Sequence, residues 1–363
     1  MQTVRLGIIG VGNMGSGHAR NIVEGKVPRM ELVAVCDADP ARLSSWSPAI
    51  KTYATPRELL RLKRLDAVLI ATPHFSHTAC GVSALRSGVH VLIEKPISVH
   101  KADAEKLIAA HKKPGQLFAA MFNQRTDPFF RRIKQIITDG TLGPLQRIQW
   151  TITDWYRTDA YYTSSGWRAT WSGEGGGVLL NQAPHNLDLF QWFFGMPQRL
   201  RAFAGFGKYH AIEVEDEVTA FMEYENGCTA TFITTTGETP GTNRLEIAGD
   251  LGKLVYESDR LKLTLNTVGR REHSRTCKGF FDRPTTRVEN IVYDNHGGQH
   301  VEILKNFADA ILDGTPVFAP AAEGIHSVEL ANAMILSADK GQTIELPIKS
   351  SAYASWLKKK SKK

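Results

Sequence analysis

Cysteine is scarce in this sequence, with only four in 363 residues. They are Cys36, Cys80, Cys228 and Cys277, and no two of them form a C-x-x-C pair. This spacing excludes a disulfide framework and a cysteine-based zinc site, and it is typical of a protein kept in a reducing compartment. We therefore expect a cytoplasmic protein without a structural metal.

Long apolar runs are also missing. No stretch approaches the ~20 consecutive apolar residues that a membrane-spanning helix needs. The first ten residues, MQTVRLGIIG, enter a strand pattern at once and lack the layout of a signal peptide. We therefore expect no membrane association.

Positive charge is in excess, but it is concentrated at one end. The formal net charge is +7, and the last six residues, KKKSKK, contain five lysines. The remainder of the chain is close to neutral and has no basic motif interleaved with aromatic residues, so we do not expect nucleic-acid binding. The tail at 358–363 has no apolar positions and is predicted to be disordered.

Short apolar strands alternate with helical patterns over the first part of the chain. The strand candidates are VRLGIIG, ELVAVCD, DAVLIATP, VHVLIEKP and QLFAAMF. Such alternation predicts an α/β fold with a doubly wound parallel sheet, here a Rossmann domain over residues 1–122.

The pattern changes near residue 123. The segment EVTAFMEYENGCTATFITTT alternates polar and apolar residues around a central turn signal, as in an antiparallel hairpin. Residues 123–363 are therefore predicted to form an α+β domain with an open, mainly antiparallel sheet that serves substrate binding and oligomerisation. A helix near 322–339 is expected to pack back on the first domain.

A complete G-x-G-x-x-G pattern follows the first strand and opens a predicted helix. It consists of Gly10, Gly12 and Gly15 with Asn13 and Met14 between them. Glycines at these positions allow a tight turn, close approach to a pyrophosphate and close helix–strand packing, while the helix N-terminus attracts phosphate. We expect these five residues to bind a dinucleotide.

Asp37 ends the second strand, where a carboxylate can accept hydrogen bonds from an adenosine ribose and would repel a 2′-phosphate. This position predicts NAD rather than NADP, although Arg42 nearby could accommodate a phosphate. A helix N-cap is the alternative role for Asp37, but Asp39 is better placed for it.

Four motifs occur in an order and at spacings that resemble one known family. They are GVGNMG, ATPHFSHTA, VLIEKPIS and GGGVLLNQAPHNLD. Together they resemble the glucose–fructose oxidoreductase / inositol dehydrogenase / MocA family, over nearly the whole chain. The resemblance implies NAD-dependent hydride transfer on sugars, cyclic polyols or keto-sugars at the domain interface, and a homodimer or homotetramer.

The resemblance also assigns site residues. Lys95 corresponds to the family's catalytic lysine, and His185 matches the histidine of the last motif. The resemblance implies cofactor contact for Thr72, Pro73 and His77, in the loop where the strand segment DAVLIATP ends. It implies the same for Glu94, Lys95 and Pro96.

Asn181 stands where many members of the family have an aspartate. A carboxamide can orient a hydroxyl but cannot accept its proton, so more of the acid–base role would rest on His185. Asn181 could instead be the N-cap of a helix that begins near Gln182. Asp188 could orient the His185 imidazole or form an ion pair elsewhere.

An aromatic segment, DWYRTDAYYTSSGWRATW, precedes the glycine-rich motif. Aromatic faces suit the C–H side of a sugar ring, and arginine binds hydroxyls or carboxylates. We expect the cluster to divide between core and ligand, with Tyr156, Trp167 and Arg168 contacting substrate. His300 is a further pocket candidate, although a role in helix capping or helix packing fits it better.

Three functions remain open at this stage. The first is a dehydrogenase or reductase acting on sugars or cyclic polyols. The second is a glycoside-cleaving enzyme that oxidises its substrate transiently and recycles NAD. The third is a non-catalytic nucleotide sensor, which would not need both Lys95 and His185. Net formation of NADH separates the first from the second.

Overall fold

The computed structural model describes residues 2–362, which build two sheets. The first sheet has six parallel strands in the order β3-β2-β1-β4-β5-β6. They are β1 (Val4–Ile9), β2 (Met30–Cys36), β3 (Lys51–Tyr53), β4 (Ala67–Ile70), β5 (His90–Ile93) and β6 (Phe118–Ala120). The connecting helices are α1 (Asn13–Val23), α2 (Pro56–Leu59), α3 (His74–Ser87) and α4 (Lys101–Ala110). This confirms the predicted doubly wound domain, except that β3 was not predicted, because three largely exposed edge residues leave no apolar pattern.

The second sheet has nine strands in the order β14-β13-β12-β11-β7-β10-β9-β8-β15. They are β7 (Leu145–Ile152), β8 (Arg199–Phe206), β9 (Glu215–Glu223), β10 (Thr229–Thr235), β11 (Asn243–Gly249), β12 (Gly252–Glu257), β13 (Arg260–Asn266), β14 (Thr286–Ile291) and β15 (Ile344–Glu345). Only β7 and β10 pair in parallel, so the expectation of an open, mainly antiparallel sheet is confirmed.

Seven more helices follow along the described part of the chain. They are α5 (Pro128–Thr138), α6 (Asp159–Thr163), α7 (Pro184–Phe194), α8 (Arg270–Thr276), α9 (Gln299–Asp313), α10 (Gly324–Lys340) and α11 (Ser350–Lys360). The apolar faces of α5 and α7 pack on one face of the sheet, where Phe130, Phe193 and Trp150 form an aromatic group with ring centroids 6.2 Å apart. Burial of such large rings is a main stabilising contribution to a core. This packing fixes where α7, and with it His185, meets the first domain.

The division at residue 122 does not describe the packing of α9. Ile303, Leu304 and Phe307 on this helix are buried in the core of the parallel sheet, together with Leu6 and Ile8. A position late in the sequence does not prevent an apolar helix face from covering the exposed side of an earlier sheet. Helix α9 therefore packs with the first domain, although its position in the sequence assigned it to the second.

Helix α10 contacts both domains. Its Val328 joins the first core, whereas Met334 joins the second. Its Asn332 accepts a hydrogen bond from the backbone nitrogen of Lys101 at 3.1 Å and donates to the Val99 carbonyl at 3.1 Å. Buried hydrogen bonds from an amide side chain, like these, hold the two domains in a fixed position relative to each other.

The expected disorder of the tail at 358–363 is wrong for its first part. Helix α11 continues through Lys360, whose ammonium lies 2.8 Å from Asp339. Tyr353 and Leu357 are buried and anchor the helix, and lysine is a good helix former with no breaker to stop it. Lys363 lies outside the described residues. No helix in residues 2–362 is long and apolar enough to cross a membrane.

Candidate active site

The glycine turn after β1 has the form that a dinucleotide site needs. Gly10 has a φ of +91°, and a Cβ on Gly15 would lie 1.9 Å from the Gly10 carbonyl oxygen. Helix α1 begins at Asn13, with Gly12 as an N-cap and no side-chain cap. The free N–H groups at this helix end, beside Asn13 and Met14, fit the phosphates of a dinucleotide.

Asp37 is fixed beside this turn. Its carboxylate accepts hydrogen bonds from the backbone nitrogens of Val11 at 2.9 Å and Asp39 at 3.0 Å. Asp39 caps the short 3-10 helix Pro40–Leu43. Asp37 is thus not the cap, and its placement at the glycine turn suits recognition of a ribose. Arg42 lies 3.5 Å from the Asp37 carboxylate.

The segment after β4 also reaches this edge of the sheet. Thr72 and Pro73 precede α3, which begins at His74, so His77 lies in a helix rather than in the expected loop. The His77 ring is buried, and its two nitrogens lie 2.8 Å from the carbonyl oxygens of Thr72 and Pro96. His77 therefore fixes these two backbone segments, and any effect on a cofactor would act through them.

Glu94 pairs with a histidine that the sequence analysis did not single out. Its carboxylate lies 2.6 Å from His18 Nε2 and accepts a hydrogen bond from the Lys95 backbone nitrogen at 3.1 Å. Burial alone would raise the pKa of Glu94, but contact with His18 and the charge of Lys95 lower it to about 2. The His300 ring packs against His18 with centroids 5.4 Å apart. In the described part of the chain, no group of three or more His, Cys, Asp or Glu residues is placed to hold a metal ion.

Lys95 crosses from the first domain to the second. Its ammonium donates a hydrogen bond to the Asn181 carbonyl at 2.8 Å, across 86 positions of sequence. Burial lowers the pKa of Lys95, while the negative charges of Glu94 and Glu174 act in the opposite direction. Lys95 is thus a desolvated cation held where the two domains meet.

His185 lies in the first turn of α7, directly after Pro184. Its Nδ1 atom is buried and has no hydrogen-bond partner in the described residues. Burial, and then the charge of Lys95, lower the pKa of His185 well below its ordinary value. The imidazole is therefore neutral near pH 7 and able to accept a proton.

Asn181 does not cap the helix, because α7 begins at Pro184 and Ala183 is its N-cap. The Asn181 amide nitrogen instead donates to the Glu174 carboxylate. Its side-chain oxygen accepts a bond from the Tyr161 hydroxyl at 3.3 Å. These contacts orient the carboxamide beside Lys95.

Glu174 was missed by the sequence analysis. Its side chain is buried, and its second carboxylate oxygen accepts a hydrogen bond from the Ala169 backbone nitrogen at 2.7 Å. Burial raises the pKa of Glu174, whereas the bonds from Ala169 and Asn181 lower it. The sequence offered one indication, the position of Glu174 at the start of a glycine-rich segment. A single glutamate there forms no recognisable motif.

Asp188 forms an ion pair elsewhere rather than orienting His185. Its carboxylate binds the buried Arg125 guanidinium through two hydrogen bonds of 2.7 and 2.6 Å. Bidentate pairing of this kind is specific and directional. Asp188 therefore stabilises the domain junction.

Part of the aromatic segment is buried, and part of it lies near Asn181. Trp171 is buried against Trp356, with ring centroids 5.0 Å apart. Trp167 lies beside His74 at 6.1 Å, and Arg168 binds the Tyr161 hydroxyl at 2.8 Å. Tyr161 thus contacts Asn181 directly, Arg168 reaches it through Tyr161, and Trp167 lies against Arg168, 4.8 Å from its guanidinium carbon. Tyr156 is 46% exposed, and its carbonyl oxygen accepts a hydrogen bond from the Arg157 guanidinium.

The glycines at 175–177 lie closely packed against other parts of the chain. A Cβ on Gly177 would lie 1.9 Å from the Glu215 carbonyl oxygen, and one on Gly175 would lie 2.2 Å from Val99. The chain itself therefore fills the space that a side chain at Gly175 or Gly177 would need.

Two family models match this chain. The model described as "Oxidoreductase family, NAD-binding Rossmann fold" matches residues 4–122, and the GFO/IDH/MocA C-terminal domain matches residues 130–255. Myo-inositol 2-dehydrogenase of Thermotoga maritima is 22% identical over 94% of this chain and 98% of its own length.

Two solved structures share the fold. The WlbA dehydrogenase of Bordetella pertussis, in complex with NADH and UDP-GlcNAcA, superposes with a TM-score of 0.79 at 23% identity, over 96% of this chain and all of its own. Levoglucosan dehydrogenase, in complex with NADH and levoglucosan, superposes with a TM-score of 0.77 at 21% identity over the same shares. The matched models, together with the glycine turn that suits a dinucleotide, show that this chain is an NAD-binding oxidoreductase of the Gfo/Idh/MocA family.

Proposed function

We propose that this protein is an NAD-dependent dehydrogenase or reductase that interconverts a carbinol and a carbonyl group on a sugar, cyclic polyol or keto-sugar. The observation that carries the proposal is the hydrogen bond from Lys95 to the Asn181 carbonyl, which brings a cation of the first domain to the segment that holds His185. The similarity to an inositol dehydrogenase and to a levoglucosan dehydrogenase supports the substrate class.

The residues divide the chemistry between them. Bound nicotinamide supplies the hydride acceptor or donor. The neutral His185 imidazole accepts the proton that leaves the hydroxyl, as a general base does. The Lys95 ammonium holds the same oxygen and stabilises its developing negative charge. Asn181 orients the hydroxyl without taking its proton.

A panel of sugars, inositols and keto-sugars, assayed with NAD and NADH, tests this function. We expect NADH to form from at least one alcohol, together with an equal amount of carbonyl product. Release of an aglycone from a glycoside with no net NADH would instead indicate the cofactor-recycling reaction. Tight NADH binding with no turnover of any panel member would contradict the proposal.

Asp37 is expected to make NAD the preferred cofactor. Its carboxylate stands at the glycine turn, where it would accept bonds from ribose hydroxyls and repel a phosphate. Asp37→Ser should narrow the difference in kcat/KM between NAD and NADP, and Asp39→Ser is the matched control. Equal or better performance of the wild-type protein with NADP would contradict this assignment.

The pH dependence of alcohol oxidation should have two limbs. The pKa of His185 lies well below its ordinary value of about 6.5, so activity should fall only in acid, where the base becomes protonated. The pKa of Lys95 is lowered from its ordinary value of about 10.4, so the alkaline limb should lie below that pH, where the cation is lost. A kcat/KM profile that falls through pH 6.5 to 7 would contradict a neutral His185.

Glu174 is expected to support the charge of Lys95. Glu174→Gln removes a buried negative charge, so kcat should fall by roughly tenfold and the alkaline limb should move to lower pH. The double variant Glu174→Gln, Asn181→Asp places a carboxylate at the neighbouring position, one hydrogen bond from the original one. It should restore both kcat and the pH of the alkaline limb. An unchanged kcat and alkaline limb in Glu174→Gln would show that Glu174 serves only packing.

A further inference from the structure

We propose that the substrate carries an anionic group, a carboxylate or a phosphate, that is bound by Arg157 and Arg168. The inference rests on the proposed function, because it names the class of sugar or polyol that the same site takes. It follows from two guanidinium groups that stand beside Lys95 with most of their hydrogen-bond donors unused.

Arg168 is tied directly to the reaction centre. One of its terminal nitrogens donates to the Tyr161 hydroxyl at 2.8 Å, and that hydroxyl donates to the Asn181 side chain at 3.3 Å. Asn181 in turn accepts the bond from Lys95 through its carbonyl. Two hydrogen bonds therefore separate the guanidinium from the carboxamide beside the catalytic lysine.

The guanidinium of Arg157 lies against the same Tyr161 ring, and the backbone of Arg157 is held by hydrogen bonds. Its backbone nitrogen donates to the Thr236 carbonyl at 2.9 Å, and its carbonyl oxygen lies 2.9 Å from His210 Nε2. Its guanidinium carbon lies 5.1 Å from the centre of the Tyr161 ring, and that of Arg168 lies 4.5 Å from it. The aromatic ring holds both guanidinium groups in place before any ligand arrives.

Both arginines are half-buried, and most of their guanidinium donors have no protein partner within the described residues. Each makes one side-chain hydrogen bond, Arg157 to the Tyr156 carbonyl and Arg168 to Tyr161. The Nε atoms of both are buried without a partner, and neither forms an ion pair within residues 2–362. Buried donors of this kind are costly unless something binds them, and the planar fork of arginine suits a carboxylate or phosphate.

The local charge points the same way. Besides burial, which has the largest effect, the positive charges of Arg157 and Arg168 lower the pKa of Lys95. Against these three cations stand two nearby carboxylates, Glu94, which contacts His18, and Glu174, which accepts bonds from Asn181 and the Ala169 nitrogen. An anionic group on the substrate would balance the remaining excess of positive charge.

There is also space beside Arg168. It lines a cavity of about 430 Å³ together with Tyr162, Thr170, His210 and Glu213. This volume lies in the range that small ligands occupy in proteins. Glu213 is exposed, and its carboxylate accepts a bond from the Trp171 backbone nitrogen at 3.0 Å.

The alternative is that the two arginines only brace the aromatic segment through their rings. Two matched series separate these roles: glucose, glucuronate and glucose 6-phosphate, and galactose, galacturonate and galactose 6-phosphate. For each compound, kcat/KM is measured with NAD, and the dissociation constant from the NADH-loaded protein is measured by calorimetry. The variants are Arg157→Met, Arg168→Met and the distant control Arg132→Met.

We expect one anionic member to be favoured over its neutral parent by at least about tenfold, and the carboxylate and phosphate arms show which group is recognised. Arg168→Met and Arg157→Met should each weaken the anionic compound roughly 10- to 100-fold more than its neutral parent, as for hydrogen bonds to a charged group. Arg132→Met should change neither.

Neutral and anionic members that bind and react equally in the wild-type protein would overturn the inference, and this outcome needs no variant to fold. Turnover of neutral sugars without charge preference would leave the proposed function standing and reject only the anionic substrate. Anion binding to the NADH-loaded protein without any turnover would do the reverse.

Discussion

Lys95→Met is expected to lower turnover by about two to four orders of magnitude, the scale of a lost electrostatic partner at a developing oxyanion. Methionine keeps most of the volume of the side chain but has no charge and no donor for the Asn181 carbonyl. The alkaline limb of the pH profile should disappear with the lysine. Steady-state kinetics with the best substrate of the panel measures both effects.

Lys106→Met is the control for this prediction, because that lysine lies exposed on α4 and its side chain is 68% accessible. It should leave turnover unchanged. If Lys95→Met retained wild-type kcat and its alkaline limb, Lys95 would serve only to join the two domains.

His185→Ala should cause a loss of similar size, about two to four orders of magnitude, because the proton of the hydroxyl would have no positioned acceptor. Its ring makes no hydrogen bond through Nδ1 in the described residues, so the free energy of unfolding should fall by less than the activation free energy of the reaction rises. The acid limb of the pH profile should disappear, and NADH binding, measured by fluorescence titration, should stay nearly intact because the glycine turn and Asp37 lie elsewhere.

His273→Ala, on the exposed helix α8, is the matched control and should behave as wild type. Wild-type turnover in His185→Ala would return the histidine to a packing role at the start of α7. A loss of NADH binding in proportion to the loss of turnover would show that the side chain holds the cofactor rather than the proton.

Local patterns in the sequence were enough to predict both sheets and most of the helices. The apolar runs of β1, β2, β4 and β5 and the glycines of the first turn each act over a few residues, so they remain readable without a structure. The motif EKP and the later glycine-rich segment placed Lys95 and His185 in one crevice, and the bond from Lys95 to Asn181 is consistent with that placement.

Contacts between distant segments could not be predicted in the same way. Nothing near Glu174 indicates that its carboxylate faces Asn181, and nothing near His18 indicates its pairing with Glu94. The alternative role of Asn181 as an N-cap was wrong, because α7 begins at Pro184, two positions later than the expected start near Gln182. Tyr161, which was not among the predicted substrate contacts, binds Asn181, and adjacent aromatic residues in an irregular segment carry no periodicity that would have singled it out.

The central claim is that a hydride leaves the carbinol carbon of the substrate for the nicotinamide. The most direct test gives the protein NAD and the best alcohol of the panel, labelled with deuterium on that carbon, and follows the label by mass spectrometry. The account predicts one deuterium on each reduced cofactor and an equal amount of unlabelled carbonyl product. Product formation with the cofactor left oxidised and free of deuterium would contradict it.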